Sequence, residues 1–263
     1  MLTRPLRAGW LPMAIAGALF TLGSGCAFFP TSEARDKWSR TYPLTAGGSF
    51  ELHNTNGRIQ VDATDGSNIE VIAEKIARAG SDEGAREAVR RIEISETVAP
   101  DRVLIDSTKS SWGFQINVSK RVDYVVKVPR TAQVRIESTN GDIEVTGLGG
   151  AFRAEATNGM IRGTGLENRA EVETTNGRVS LAFAKLHEGG VSCSTTNGAV
   201  EVLLPTDVKA NVTADVTNGE IETGGLELTV IKHTRRHLEA TVGGGGPQVR
   251  VETTNGSVSV RSR

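Results

Sequence analysis

Along most of this chain, small or apolar side chains return at every second position, in short runs broken by Asn-Gly. Counted from the Asn, the positions six before it hold Val134, Phe152, Ala170, Val191, Val212 and Val249. Four before it stand Ile136, Ala154, Val172, Cys193, Ala214 and Val251, and three after it Ile143, Ile161, Val179, Val200, Ile221 and Val258. The positions between are mostly Glu, Arg, Ser, Asp and Thr. A period of two predicts strands with one buried face and one wet face. Each unit is then two short strands joined through Asn-Gly.

The joint itself repeats. Thr-Asn-Gly occurs at Asn56, Asn140, Asn158, Asn176, Asn197, Asn218 and Asn255, and the steps from Asn140 onward are 18, 18, 21, 21 and 37 residues. The last step reads as two units with one degenerate copy. A fixed period near 20 residues marks a stacked repeat. Asn-Gly between alternating hydrophobics also fits a two-residue hairpin. A meander, however, asks for turn chemistry and not for the same side chain at every turn. Parallel rungs about 4.8 Å apart place equivalent asparagines above one another, where their amides can form a hydrogen-bonded ladder. Gly supplies the positive φ of the corner. The expected fold is all-β, a β-solenoid of about 20-residue rungs in one continuous domain with one short helix in an N-terminal insert.

The flanks fit around this stack. Residues 26–46, including Pro30 and Pro43, show no clean period and read as a tether, with some packing by Trp38 and Tyr42. Residues 47–130 hold the first rung and a capping insert. Phe50, Leu52, Ile59 and Val61 flank the first Asn-Gly, and Asn68 to Ala77 continues as strand. Ser81 to Arg91 predicts a helix, with Ser81 or Asp82 as cap and Ala85, Ala88, Val89 and Ile92 on one face. Strands are expected around 93–98 and 102–107, turned at Ala99-Pro100-Asp101, and Trp112, Phe114, Ile116 and Val118 alternate. Residues 131–263 are the repeat solenoid. Within them Leu226 to Pro247 reads as a degenerate rung with a flexible loop at Gly243 to Gly246. The final strand has Arg261 and Arg263 as its visible edge protection, so that end is a candidate contact surface.

Composition then narrows the class. Aromatics are 5% and Gly totals 30 of 263 residues, which suits thin β rungs. The net charge of −1 gives no reason to expect nucleic acid. Residues 1–25 read as a targeting segment, with Arg4 and Arg7 before the apolar stretch Gly9 to Leu22, too short for a comfortable membrane span. The sequence Leu22-Gly23-Ser24-Gly25-Cys26 resembles a bacterial lipoprotein signal with Cys26 lipidated, although Leu22 lies four residues before the Cys where that signal usually has three. Ala27 after it implies, by the same resemblance, the outer membrane. With Cys26 acylated, Cys193 has no disulfide partner, and its place in an inward column marks it as a small buried hydrophobe.

The leader, the first Asn-Gly unit, the helical insert, Val128-Pro129 and the run of Thr-Asn-Gly units closed by Val200-Glu201-Val202-Leu203-Leu204-Pro205 together resemble the putative adhesin family, DUF4097. The resemblance implies a β-helix-like cell-envelope protein and carries no catalytic motif.

Few residues stand in the spacing of a chemical site. There is no phosphate-binding loop, and Gly243 to Gly246 lacks the Lys-Ser/Thr that one needs. The histidines are His53, His187, His233 and His237; the last two are four apart, a metal spacing only on a helix. Three before each Asn runs a column of Glu137, Glu155, Glu173, Ser194, Asp215 and Glu252, beside Arg135, Arg153 and Arg250. It reads as an exposed ion-pair lattice, or more sharply as a surface for Ca²⁺ or a cationic polymer. No cofactor is called for. The expected function is non-enzymatic: an exported, lipid-anchored envelope protein using a repetitive surface to contact a protein or glycan. The alternatives are a carbohydrate-active β-helix enzyme and an accessory or sensor component of envelope-stress signalling.

Overall fold

A computed structural model describes residues 32–109 and 117–263. The leader and Cys26 lie outside the described residues, as do Trp112, Phe114 and Ile116. The chain runs β1 (Ser32–Pro43), β2 (Ser49–Asn56), β3 (Ile59–Thr64), β4 (Asn68–Ala79), helix α1 (Asp82–Arg90), β5 (Ser95–Ala99), β6 (Arg102–Asp106) and β7 (Ser119–Pro129). Regular rungs follow: β8 (Gln133–Asn140) with β9 (Ile143–Thr146), β10 (Phe152–Asn158) with β11 (Ile161–Leu166), β12 (Ala170–Asn176) with β13 (Val179–Phe183), and β14 (Val191–Asn197) with β15 (Val200–Leu204). The last part holds β16 (Ala210–Asn218) with β17 (Ile221–Gly224), β18 (Leu228–His233), β19 (His237–Val242), and β20 (Gln248–Asn255) with β21 (Val258–Ser262).

These strands form two sheets, one of 10 and one of 11 strands, and every rung gives one strand to each. In the larger sheet, β2, β8, β10, β12, β14, β20 and β16 lie parallel in that order with identical register, Asn over Asn. The inward columns fill the space between the sheets. Val134, Phe152, Ala170 and Val191 lie on one side of that core, and Ile143, Ile161, Val179 and Val200 on the other, all but buried. The hairpin reading is thereby excluded: repeats pair in parallel and without slip, because a one-residue shift would expose the whole apolar column.

Stacking order departs from chain order at one place. β20 lies between β14 and β16, and β21 between β15 and β17, so the rung ending in Asn255 sits inside the stack. The expectation that 37 residues hold two successive units is therefore corrected. Leu226 to Pro247 is not a degenerate rung. β18 and β19 form an antiparallel pair, and β19 lies antiparallel on β16 as a cover over the end of the larger sheet. Leu238, Ala240 and Val242 of β19 are buried, so the cover also plugs the core. Gly243, Gly244 and Gly245 all have positive φ and turn the chain back toward the slot that β20 fills. The end that Arg261 and Arg263 were expected to guard is an interior rung; the open edges are β17 and β18.

The opposite end is closed by the insert. β6 continues the larger sheet in parallel with β2, and β7 continues the smaller one with β3; antiparallel β5 then finishes the larger sheet, and antiparallel β4 extends the smaller one. Residues 32–43, expected as part of a tether, instead form β1, paired antiparallel with β4 over all 12 residues. Its pattern escaped a period-two search because most of its side chains lie in water; Tyr42 is buried while Ala34 and Trp38 are half-buried. Charged Glu33, Arg35, Asp36 and Lys37 blunt that edge. The Tyr42 hydroxyl donates to Glu96 on β5, tying the two sheets together at this end. Helix α1 is capped by Ser81, whose hydroxyl accepts from the Gly84 N–H, and Ala85, Ala88 and Val89 are buried.

Cys193 is 1% exposed in the core. Burial alone pushes its thiol up to about 12. Thiol reagents should therefore label it only after the chain is unfolded, as thiolate formation and access both fail in the native state. Labelling in native buffer against urea, read by mass, checks this.

Candidate functional site

The Thr-Asn-Gly corner carries the chain from each strand of the larger sheet to the next strand in the smaller one, and seven asparagines line up along it. Each amide donates to the next carbonyl oxygen: Asn140 to Asn56 at 2.8 Å, Asn158 to Asn140 at 2.8 Å, Asn176 to Asn158 at 2.9 Å and Asn197 to Asn176 at 2.8 Å. Asn255 then donates to Asn197 and Asn218 to Asn255, both at 2.9 Å. The first amide, Asn56, ends on the Lys120 carbonyl at 3.3 Å. Such a ladder needs a side chain with one donor and one acceptor end, which Asn provides and Asp does not. Beside it, the Thr174, Thr195 and Thr253 hydroxyls donate to the carbonyls of Gly159, Gly177 and Gly198 one rung along.

Outside the corner lie two depressions on the same sheet face, of about 440 and 710 Å³. Both are walled by the Thr hydroxyls that precede each Asn and by the acidic column, and Glu173 belongs to both. They follow one another along this face, on either side of Glu173, and together form a trough from His53 to His237. The column is in register: His53, Glu137, Glu155, Glu173, Ser194, Glu252 and Asp215 follow one another across the strands. Its ends are closed by imidazoles, with His53 Nε2 at 3.7 Å from Glu137 and His237 Nδ1 at 2.7 Å from Asp215.

Stacked like charges would repel, and the neighbouring column offsets this. Arg135 bridges Glu137 at 2.7 Å and reaches Glu155 at 3.8 Å; Arg153 bridges Glu155 and Glu171, each at 2.8 Å; Arg250 bridges Glu252. These pairs are half-exposed, so each contributes roughly 0 to 1 kcal/mol. Among the carboxylates of this column, the Glu173 side chain alone has neither an ion pair nor a hydrogen bond to another described residue. No group of three or more His, Cys, Asp or Glu side chains suited to a metal occurs among the described residues. His233 and His237 are separated by a turn at Thr234, not set on a helix.

One acidic group at the insert end escaped the sequence reading. Asp106 is buried beside His53, its strand partner across β2 and β6. Burial pushes its carboxyl up, but the Thr108 hydroxyl at 2.6 Å and N–H at 2.8 Å, with Lys109 and His53 nearby, outweigh this and leave it below the usual range. Glu167 is likewise lowered, first by its hydrogen bond from Arg130. A carboxylate with a depressed folded pKa adds stability that is complete above its unfolded pKa and lost as pH falls through the folded one. Acid titration of unfolding should therefore show a fall below about pH 4 that is shallower in Asp106→Asn, measured by urea midpoints across pH.

Comparison with known proteins places this geometry. The model of the Toastrack DUF4097 family matches residues 130–261, half of the chain. No curated protein matches. Among solved structures, a putative cell adhesion protein from Clostridium sporogenes is 13% identical, with a TM-score of 0.51 over 87% of this chain and 100% of that one. A putative adhesin from Bacteroides fragilis is 12% identical over 87% and 97% of the two chains, with a TM-score of 0.42. A putative lipid binding protein from Parabacteroides distasonis is 13% identical over the same shares, with a TM-score of 0.29. At these identities the likeness concerns the fold. The parallel Asn-Gly stack and the family match agree, and the chain belongs to the Toastrack DUF4097 family.

Proposed function

We propose that this chain is a non-enzymatic cell-envelope protein that holds an extended, hydroxyl-rich polymer, a glycan, along the trough between the Thr and Glu columns. The observation that supports this reading most is the shared register of the two columns. Each rung offers the same Thr hydroxyl, and every rung of the column except those of His53 and Ser194 adds a carboxylate, a spacing that suits a ligand with its own linear repeat. Glycan recognition fits better than cation capture, because the Arg column already neutralises most of the carboxylates and no metal-sized group forms among the described residues. The name of the similar structure from Clostridium sporogenes, a putative cell adhesion protein, points the same way.

The acid–base chemistry of a glycosidase fits less well. Such sites need a carboxyl held above its ordinary pKa. The carboxyls that are displaced, Glu33, Asp106 and Glu167, are all moved down. The anchor belongs to the same proposal: Cys26 carries lipid chains and holds the domain at a membrane, by the sequence argument above. No helix among the described residues is long and apolar enough to cross one.

A glycan array probed with the purified domain tests the reading. Glu173→Gln with Thr175→Val should weaken any hit by on the order of ten-fold, since two polar contacts go while the neighbouring ion pairs stay. Turnover of a polysaccharide, or hits indifferent to both substitutions, would overturn it.

A further inference from the structure

The seven corners are also seven Asn-Gly pairs. This is the dipeptide most open to deamidation, since a glycine N–H without a neighbouring side chain reaches the preceding amide carbon unhindered. The ladder opposes that reaction at six of them. The N–H groups of Gly57, Gly141, Gly159, Gly177, Gly198 and Gly256 each donate to the Asn carbonyl of the next rung, at 2.9 to 3.0 Å. An N–H so held is not free to lose its proton and turn toward the side chain. The asparagines themselves are held at both amide ends.

Asn218-Gly219 differs on three counts. The Gly219 N–H has no acceptor among the described residues, because the cover over β16 reaches only to the Val216 N–H, which donates to the Arg236 carbonyl, and leaves the corner bare. Gly219 is exposed, where the six other corner glycines are half-buried. Asn218 donates to Asn255, but its own side-chain oxygen receives no donor among the described residues.

We propose that Asn218 is the modification site of this domain, converting spontaneously to aspartate or isoaspartate. A base takes the Gly219 N–H proton and the nitrogen attacks Cγ of Asn218. The Cγ–Nδ2 bond breaks, ammonia leaves with a proton from water, and a succinimide forms. Water then opens either carbonyl of that ring. The new carboxylate cannot donate to Asn255, so the final link of the ladder is released and negative charge is added at this end of the stack, next to Glu220.

The test is a time course on the purified full chain in mildly alkaline buffer, digested and mapped by mass spectrometry, beside a urea-unfolded sample. In the folded chain, position 218 should convert at least roughly ten-fold faster than any other corner, because each of the others must first open two hydrogen bonds. In urea the seven rates should converge. The comparison with Asn255 is the sharpest, as that corner comes last in sequence yet lies inside the stack. Faster conversion at 255 or any other corner, equal rates in the folded chain, or conversion confined to the unfolded sample would each overturn the proposal.

Discussion

Gly159→Ala is expected to destabilise the domain by on the order of 3 kcal/mol or more. Two independent effects add at this position. Its φ of +150° is one that residues with a Cβ rarely adopt. A Cβ there would also run into the carbonyl oxygen of Gly141 on the rung below. That oxygen is backbone, fixed by the sheets on either side, so it cannot swing away as a flexible side chain would. The rungs would have to part, straining the 2.8 Å bond from Asn158 to Asn140 and the 2.9 Å bond from the Gly141 N–H to the Asn158 carbonyl. Gly244→Ala is the matched control. Its φ is +88°, but nothing lies within 4 Å of the added methyl, so only the backbone term remains, about 1 to 2 kcal/mol. Urea midpoints of the two variants separate the terms. Equal losses would mean that the stack yields easily and that its close spacing is not a constraint.

Phe183→Ala is expected to cost about 3 to 5 kcal/mol, the range for emptying a buried aromatic site. Phe183 is fully buried at the end of β13, where its strand partner is Leu166. The core it occupies is one layer of inward side chains between two sheets, and much of it is Val and Ala. Short, branched neighbours fixed to paired strands have little freedom to move into the space left behind. The urea midpoint should fall while the slope stays constant, since the surface exposed on unfolding barely changes. A changed slope would instead point to partial unfolding of the neighbouring rungs.

Much of the solenoid was legible because its information is local and repeated. Inward positions six and four before each Asn could be read directly, and identical Asn at each corner argued for parallel stacking over a meander. The helix was legible from Ser81 and the Ala85, Ala88 and Val89 face. Three things were not. β1 is an edge strand with one buried aromatic and a charged exterior, so it carries no clean period. The slot taken by β20 is the edge of β14 that β16 leaves unpaired, a long-range choice that leaves no mark on the repeat itself. The His53–Asp106 end of the trough joins residues brought together by β2 and β6, which the spacing of Asn-Gly units does not address. The acidic column was visible, but its neutralisation by Arg153 reaching Glu171 as well as Glu155 needed the geometry.

The interleaving of the rung that ends in Asn255 bears on how the chain assembles. Synthesis runs from the N terminus, so β16 through β19 exist before the layer on which β16 rests has been made. They can dock only after residues 248–262 have arrived, and zipping up one turn at a time stalls at Leu204. Cutting the chain before Gln248 would not shorten the rod by its last turn. It would remove a middle tier and leave the closing hairpin with nothing to close.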